Sequence, residues 1–413
     1  MYISLIIVVL FSIAILNNYQ KYFMLFIAFA GVIMQFKSFV DFASPFQLIA
    51  LLSVVCFFFI KGKISNTKFI MPIWGYSIIM ICISLFITNL VAHEKHNVTL
   101  LFSISELLLP IIFYYIIKGN LHFIKRYLAY LYVLGIIISI YGFVETFTSS
   151  NLFISFMNSN HLYRTEYLVT EVRYGLKRAQ SIYSMHTTFG GYALFIGFCL
   201  AYLKFKFGNI LHKPYIMRYS TMLYICTFFT GARSSILGAI VSLASFMRFK
   251  AKNILLLVFL LLIVFLFSSY FNLIFNSFVD TSTVAGSNDE MRANQLDIAY
   301  AIMSQNFWLG NGISYTWTIA QDDYDTLYGA ESLWLPIMID QGILGLISYI
   351  LLFISMIVYV IQGQQIKLIY FILAFVVFNT LSSIPSFPPT TLLYGLISIV
   401  ELSNKVKYNQ REL

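Results

Sequence analysis

The chain has 413 residues, of which 60% are hydrophobic and 10% charged, where a soluble domain would carry about one quarter charged residues. Apolar runs of about fifteen to twenty residues recur from end to end, which excludes a soluble globular protein; the short alternating segments of an outer-membrane barrel are not the pattern seen. The formal charge of +9 points to no nucleic-acid partner, because cytoplasmic loops of a membrane protein collect Lys and Arg.

The pattern therefore predicts an all-α polytopic integral membrane protein with the lipid bilayer as its surroundings. Candidate spans lie at 2–16, 22–36, 46–60, 70–91, 98–117, 128–145, 187–203, 219–230, 234–247, 254–271, 333–361, 366–383 and 390–403. Together they make a membrane domain over 1–403, followed by a cytoplasmic tail at 404–413. The first run has no basic region before it and no small-residue cleavage site after it, and reads as a retained helix. Basic loops mark the cytoplasm: Lys61, Lys63 and Lys68; Lys118, Lys125 and Arg126; Lys204, Lys206, Lys213 and Arg218; Arg248, Lys250 and Lys252; and the tail. The literal count is about thirteen spans with the N-terminus outside; twelve would place both ends inside. Cys56, Cys82, Cys199 and Cys226 all fall within apolar runs, with no metal or disulfide spacing.

Two loops are long, at 146–186 and 272–332, and the alternation places both outside, where long loops carry function. The first mixes aromatics with Arg164, Arg173, Lys177 and Arg178. Aromatic faces suit sugar rings and arginines suit phosphate. The apolar stretch 219–247 is interrupted by TGARSS. Both of its basic flanks face the cytoplasm if it forms two helices of about 20 Å each, against a core of about 30 Å. Arg233 then sits below the outer surface, at a depth where an arginine needs a water-filled cavity or an anionic partner.

The second loop holds Ser287 and Glu290 as a capping box, then Arg292, Leu296, Ala299 and Met303 on one helical stripe. The helix is expected to end before the Gly310-Asn311-Gly312 turn. The acidic run Asp322-Asp323-Tyr324-Asp325 could hold a divalent cation or be a solvated loop. Glu331 and Ser332 then open an incoming helix, in which glycines stand at 342 and 345. A carboxylate and a serine suit a helix N-terminus, so capping is one reading of Glu331. Glu106 and Glu145 are intramembrane carboxylates with no role visible in the sequence.

Four of these segments together resemble the superfamily of O-antigen polymerases (Wzy-type) and O-antigen ligases. They are Arg178 in RAQSIYSMHTTFGGYA, Thr230–Ser235 in TGARSS, Arg292 with WLGNG at 308–312, and Glu331-Ser332 followed by Gly342-Ile343-Leu344-Gly345. The resemblance covers about 175–361. It implies a GT-C-like glycosyltransferase without metal or cofactor, in a bacterial inner membrane with its active site facing the periplasm. The implied substrate is an oligosaccharide on undecaprenyl pyrophosphate, and a chain-length regulator is a candidate partner. Arg233 and Arg292 are the expected pyrophosphate stabilisers, with Arg178, Arg164 and Arg173 as substrate-binding residues. Glu331 is the expected general base, in a position where ligases of the superfamily carry histidine, and this departure favours a polymerase. Asp340 is turned away from it, nine residues on along a straight helix. A ligase acting on lipid A-core stays open as an alternative. So does a flippase or transporter, though no matching repeats are seen in the two halves.

This topology makes a direct prediction. In a background without the native cysteines, single cysteines at 160 and 320 should be labelled from outside the cell and one at 210 should not. The reverse pattern would invert the assignment.

Overall fold

The computed structural model of the chain describes residues 2–38, 40, 43–64, 71–92, 95–118, 120–162, 172–173, 176–207, 215–246, 289–322, 332–381 and 395–402. Every predicted span except 254–271, which lies outside the described residues, overlaps a helix within the described residues. In order these are α1 (Tyr2–Asn17), α2 (Tyr19–Ile33), α3 (Pro45–Ile64), α4 (Ile73–Val91), α5 (Asn97–Ile117) and α6 (Leu121–Thr148). A short α7 (Leu152–Ser159) and a two-stranded hairpin, β1 (Val172–Arg173) with β2 (Leu176–Lys177), follow. Next come α8 (His186–Phe207), α9 (Ile216–Phe229), α10 (Arg233–Leu243), α11 (Asp289–Gln305), α12 (Tyr315–Asp322), α13 (Trp334–Gln362), α14 (Leu368–Thr380) and α15 (395–402). By length and composition α4, α5, α6, α8 and α13 can each cross a membrane, and α1, α2, α3, α10 and α14 are shorter apolar helices. The chain is an all-α polytopic membrane protein.

Packing follows the rules of an apolar solvent. Lipid tails are as apolar as leucine, so close approach and hydrogen bonding hold the helices together more than burial of leucine does. On α4 the exposed residues Ile73, Tyr76, Met80, Ile83, Phe86 and Leu90 form a stripe at helical period, joined by Val91 at the helix end, while Gly75, Ser77, Ser84 and Thr88 face inward. Ser77 Oγ lies 3.0 Å from Ser355 Oγ on α13 and 3.3 Å from the Leu351 carbonyl that it donates to. The main pairings are α8 with α9, α4 with α13, α10 with α14, α3 with α5, and α6 with α9.

One end of the bundle carries most of the basic residues that flank the spans: Lys118 after α5, Lys125 and Arg126 early in α6, Lys204 late in α8, Arg218 early in α9 and Lys367 before α14; Lys37 after α2 and Lys95 before α5 flank the other. Tyr202 near the end of α8 bonds to Gln365 at 3.2 Å at that end. The opposite end collects the C-termini of α6, α9 and α14 and the N-termini of α8, α10 and α13. Contacts between Gly190 and Ser235, and between Gly191 and Phe378, tie these termini together.

At this second end α13 is broken. Gly342 has φ 62° and ψ −156°, a conformation essentially confined to glycine. The break frees backbone groups on both sides, and the turn after α11 takes them up. Asn311 and Gly312 N–H donate to the Ile339 and Asp340 carbonyls at 3.0 and 3.1 Å. Ile343 and Leu344 N–H donate to Phe307 and Trp308 at 2.9 and 3.1 Å. Thr88 on α4 closes the knot by donating to the Leu309 carbonyl at 2.8 Å. Glycine is required at both contact points: a Cβ at Gly310 would lie 2.4 Å from the Asp340 carbonyl, and one at Gly342 would lie 2.6 Å from Gly310 N. From Gly342 to Gln362 the helix rises about 30 Å, enough to cross the hydrocarbon core alone. The first turns of α13 therefore stand above the crossing part, with α11 and α12 packed around them as a cap.

The sequence placed the WLGNG turn correctly but misjudged one residue on the α11 stripe. Leu296 is half-exposed, and Gln295, Ala299 and Met303 are the buried residues. The buried face is displaced by one position because Gln295 turns inward instead. The proposed capping box at Ser287 lies outside the described residues.

Gly342→Ala should cost several kcal/mol, combining about 1–3 kcal/mol of backbone strain with backbone clashes in the knot. Thermal unfolding of the detergent-solubilised chain measures it. A wild-type melting temperature would show that the knot does not hold the cap.

Candidate functional site

The candidate site is built from three pieces at the end of the bundle away from the basic loops. The first is a strap, residues 176–185, which leads from the hairpin into α8. Its residues from Lys177 to Ser181 are almost wholly buried, so its backbone groups need partners inside the protein. Ala179 N–H donates to the Phe229 carbonyl at 3.0 Å. Gln180 and Ser181 N–H donate to Glu145 Oε2 at 2.9 and 2.6 Å, and Lys177 pairs with Glu145 Oε1. Ser181 takes φ 54°, its hydroxyl donates to the Ile138 carbonyl at 3.0 Å, and Asn151 Nδ2 donates to its carbonyl at 2.8 Å. Asn151 also caps α7 by accepting the Ile154 N–H at 2.9 Å. At the far end of the strap Ser184 N–H donates to Gln35, in the turn that follows α2.

The second piece is the turn between α9 and α10. With 14 and 11 residues, the two helices rise only about 21 and 17 Å, short of a hydrocarbon core of about 30 Å. They lie side by side, with Tyr224 OH 3.0 Å from Ser242 Oγ. Gly231 at φ 60° makes the reversal, and Thr230 Oγ1 accepts the Ala232 N–H at 3.2 Å. Thr230, Gly231 and Ala232 are buried, while Arg233 is half-exposed. The two short helices with a reversal between them are as the sequence predicted. A Cβ at Gly190 in α8 would lie 2.0 Å from Ser235 Oγ, so the first turns of α8 and α10 touch.

The strap meets the turn through Arg178. Its Nε donates to the Thr230 carbonyl at 2.8 Å, although 52 residues separate the two. That carbonyl ends α9, where the helix dipole favours a cation. Arg233 stands at the opposite kind of terminus, the first turn of α10, where the dipole disfavours positive charge. Nothing in helix stability accounts for an arginine there, whereas an anion at that spot would be attracted by both the guanidinium and the helix end.

The third piece is the cap. Asp340, just before the break in α13, accepts from Ser314 N–H at 3.1 Å, Thr316 N–H at 2.7 Å and Thr316 Oγ1 at 2.6 Å. It caps α12 from another helix, a role that the sequence did not reveal. Ser332 Oγ accepts the Trp334 N–H at 3.3 Å, as expected of a serine opening α13. Leu333 N–H donates to the Asn379 carbonyl at 2.9 Å, and Trp334 Nε1 donates to Thr380 Oγ1 at 2.9 Å. The chain preceding α13 thus reaches the end of α14, whose Phe378 packs on Gly191 of α8.

Of the residues singled out from sequence, Arg178 and Arg233 are brought to one mouth. Arg292 lies in the first turn of α11 and Arg173 in β1, with side chains outside the described residues. Arg164 and Glu331 lie outside them altogether, as does the acidic run beyond Asp322. Glu106 is buried within α5. Glu145 gains a structural partner set that sequence reading missed. The available signal was a carboxylate inside a span combined with Lys177 in the loop that follows.

The segment from α9 into α13 also carries a family signature. Residues 219–350 match the O-antigen ligase family model. This domain is consistent with the O-antigen polymerase and ligase superfamily, and it holds the TGARSS turn, Arg292, the WLGNG turn and the broken start of α13. Arg178 lies upstream of it and reaches it through Thr230. No individually curated protein matches the chain.

Proposed function

We propose that the chain is a repeat-unit polymerase of O-antigen or capsule type. It transfers a glycan from undecaprenyl pyrophosphate to a sugar hydroxyl of another lipid-linked unit, at the outer face of a bacterial inner membrane. The observation that supports this is the meeting of Arg178 with the Arg233 turn at one mouth, at the end away from the basic loops. By the positive-inside bias that mouth faces the periplasm. Breaking the glycosyl–phosphate bond leaves negative charge on the departing pyrophosphate, and paired guanidinium donors held in a low-dielectric setting stabilise it. Arg292 opens α11, which packs on α13, and completes the set in this reading. Arg164 and Arg173 contact the glycan from the first outside loop.

The attacking hydroxyl must lose a proton, and Glu331 is the base we assign. In the sequence it immediately precedes Ser332, and the first described residues after it, Leu333 and Trp334, bond to the end of α14. A carboxylate in place of the histidine of the resembled ligases favours polymerase over ligase. The ligase reading is the second one, supported by the description of the matching family model.

A gel of the host's glycolipids separates the two. Deletion of a polymerase leaves single repeat units on the acceptor, whereas deletion of a ligase leaves the acceptor bare. An unchanged ladder would reject both readings.

The residue assignments are tested in the same assay at matched protein levels. Arg233→Lys keeps the charge but loses the paired donors, and long chains should disappear. Glu331→Gln should lower polymerisation by about 10²–10⁴-fold. Wild-type chain lengths for the Gln variant would leave Glu331 as a helix cap.

A further inference from the structure

Glu145 was a buried carboxylate without a task, and the strap explains it. It lies near the C-terminal end of α6 and is 1% exposed. Both of its oxygens are engaged: Oε1 by Lys177, and Oε2 by the N–H groups of Gln180 and Ser181 at 2.9 and 2.6 Å. A carboxylate so enclosed cannot reach a substrate hydroxyl and is not a second base. Lys177, 2% exposed and neutralised by the pair, is likewise withdrawn as an anion ligand. Between the residues fixed by Glu145 sits Arg178. On its other side Ala179 N–H and Arg178 Nε are tied to the last two residues of the α9 end, Phe229 and Thr230, at 3.0 and 2.8 Å.

We propose that Glu145 is the positioning residue for Arg178. Its carboxylate grips the strap on both sides of that arginine and so sets the guanidinium across the end of α9, beside the Arg233 turn. The strap cannot hold this shape by itself. It has no helix or sheet ladder from 178 to 185, and Ser181 is in a left-handed conformation. A carboxylate accepts from several donors at once, which a neutral side chain of the same size does less well. The pair with Glu145 also withdraws the Lys177 charge from the site. This inference rests on the reading of Arg178 as a pyrophosphate ligand.

The test uses the purified full-length chain in detergent and inorganic pyrophosphate as the probe, with affinity and melting temperature measured together. Removing Glu145 alone would strand the Lys177 ammonium and unfold the strap, so the pair is removed as Glu145→Gln with Lys177→Met. At a melting temperature near wild type, this variant should bind pyrophosphate about 10–100-fold more weakly, as misplacement of a ligand group by about 1 Å does. Arg178→Ala should lose a similar factor. Combining all three changes should cost no more than either alone, because the same interaction is lost each time. Wild-type affinity in the pair-deleted chain, or losses that multiply, would overturn the positioning role and leave the arginine reading standing. Wild-type affinity in Arg178→Ala, or no binding by the unaltered chain, would instead remove Arg178 as a pyrophosphate ligand, and this inference with it. If the pair-deleted chain fails to accumulate, Glu145→Asp enters the same cycle. It keeps the charge but shortens the reach, and the same coupling with Arg178 is expected.

Discussion

At membrane depth a backbone N–H or carbonyl has no water to bond to, and leaving one unpaired costs several kcal/mol. The site end of this protein answers the same constraint wherever backbone is cut off from water, because three stretches of irregular backbone are buried among the helices there. Each has its partners supplied from elsewhere in the chain. The break in α13 is filled by the 307–312 turn, the strap is held by Glu145 and the end of α9, and the TGARSS reversal is closed by Thr230 and by Arg178. Irregular backbone is tolerated at this depth only where protein buries it or a cavity lies beside it. The places where the chain departs from helix are therefore also the places where a site can form.

The same constraint explains the placement of charge. Arg178 has a structural reason to be where it is, since it satisfies the carbonyl that ends α9. Arg233 stands in the first turn of α10, where the helix dipole opposes its charge. The two sit together but have different grounds for a functional role: one is a cap that a substrate can share, the other is a cation whose best partner is an anion. Lys177 shows the contrast. It is cationic and adjacent in sequence to Arg178, yet it is neutralised by a carboxylate and buried.

The cap gives α13 two jobs. Below Gly342 it is a membrane crossing packed on α4 through Ser355 and Ser77. Above it, Asp340 organises α12 and the first turn anchors to α14 through Trp334. A single glycine conformation lets one helix serve both, and it joins α11, α12 and the chain leading into α13 to the rigid bundle. The match of residues 219–350 to one family model covers this unit together with the α9–α10 turn.

Much of this was legible in the sequence, because hydropathy acts locally. Apolar runs mark the spans, and the TGARSS interruption marks a break into two short helices. The resemblance, read over about 175–361, is consistent with the family match at 219–350. Other features could not be read in advance, because they depend on pairings between distant segments. Asp340 was judged by its angle on a straight helix, but α13 is not straight, and the residue bonds to Ser314 and Thr316. Leu296 followed the helical period, yet Gln295 took the buried place. Glu145 was one carboxylate in a span until the strap, over thirty residues later, folded onto it. A sequence states which groups must be satisfied inside the membrane, and only the tertiary structure decides which distant group satisfies them.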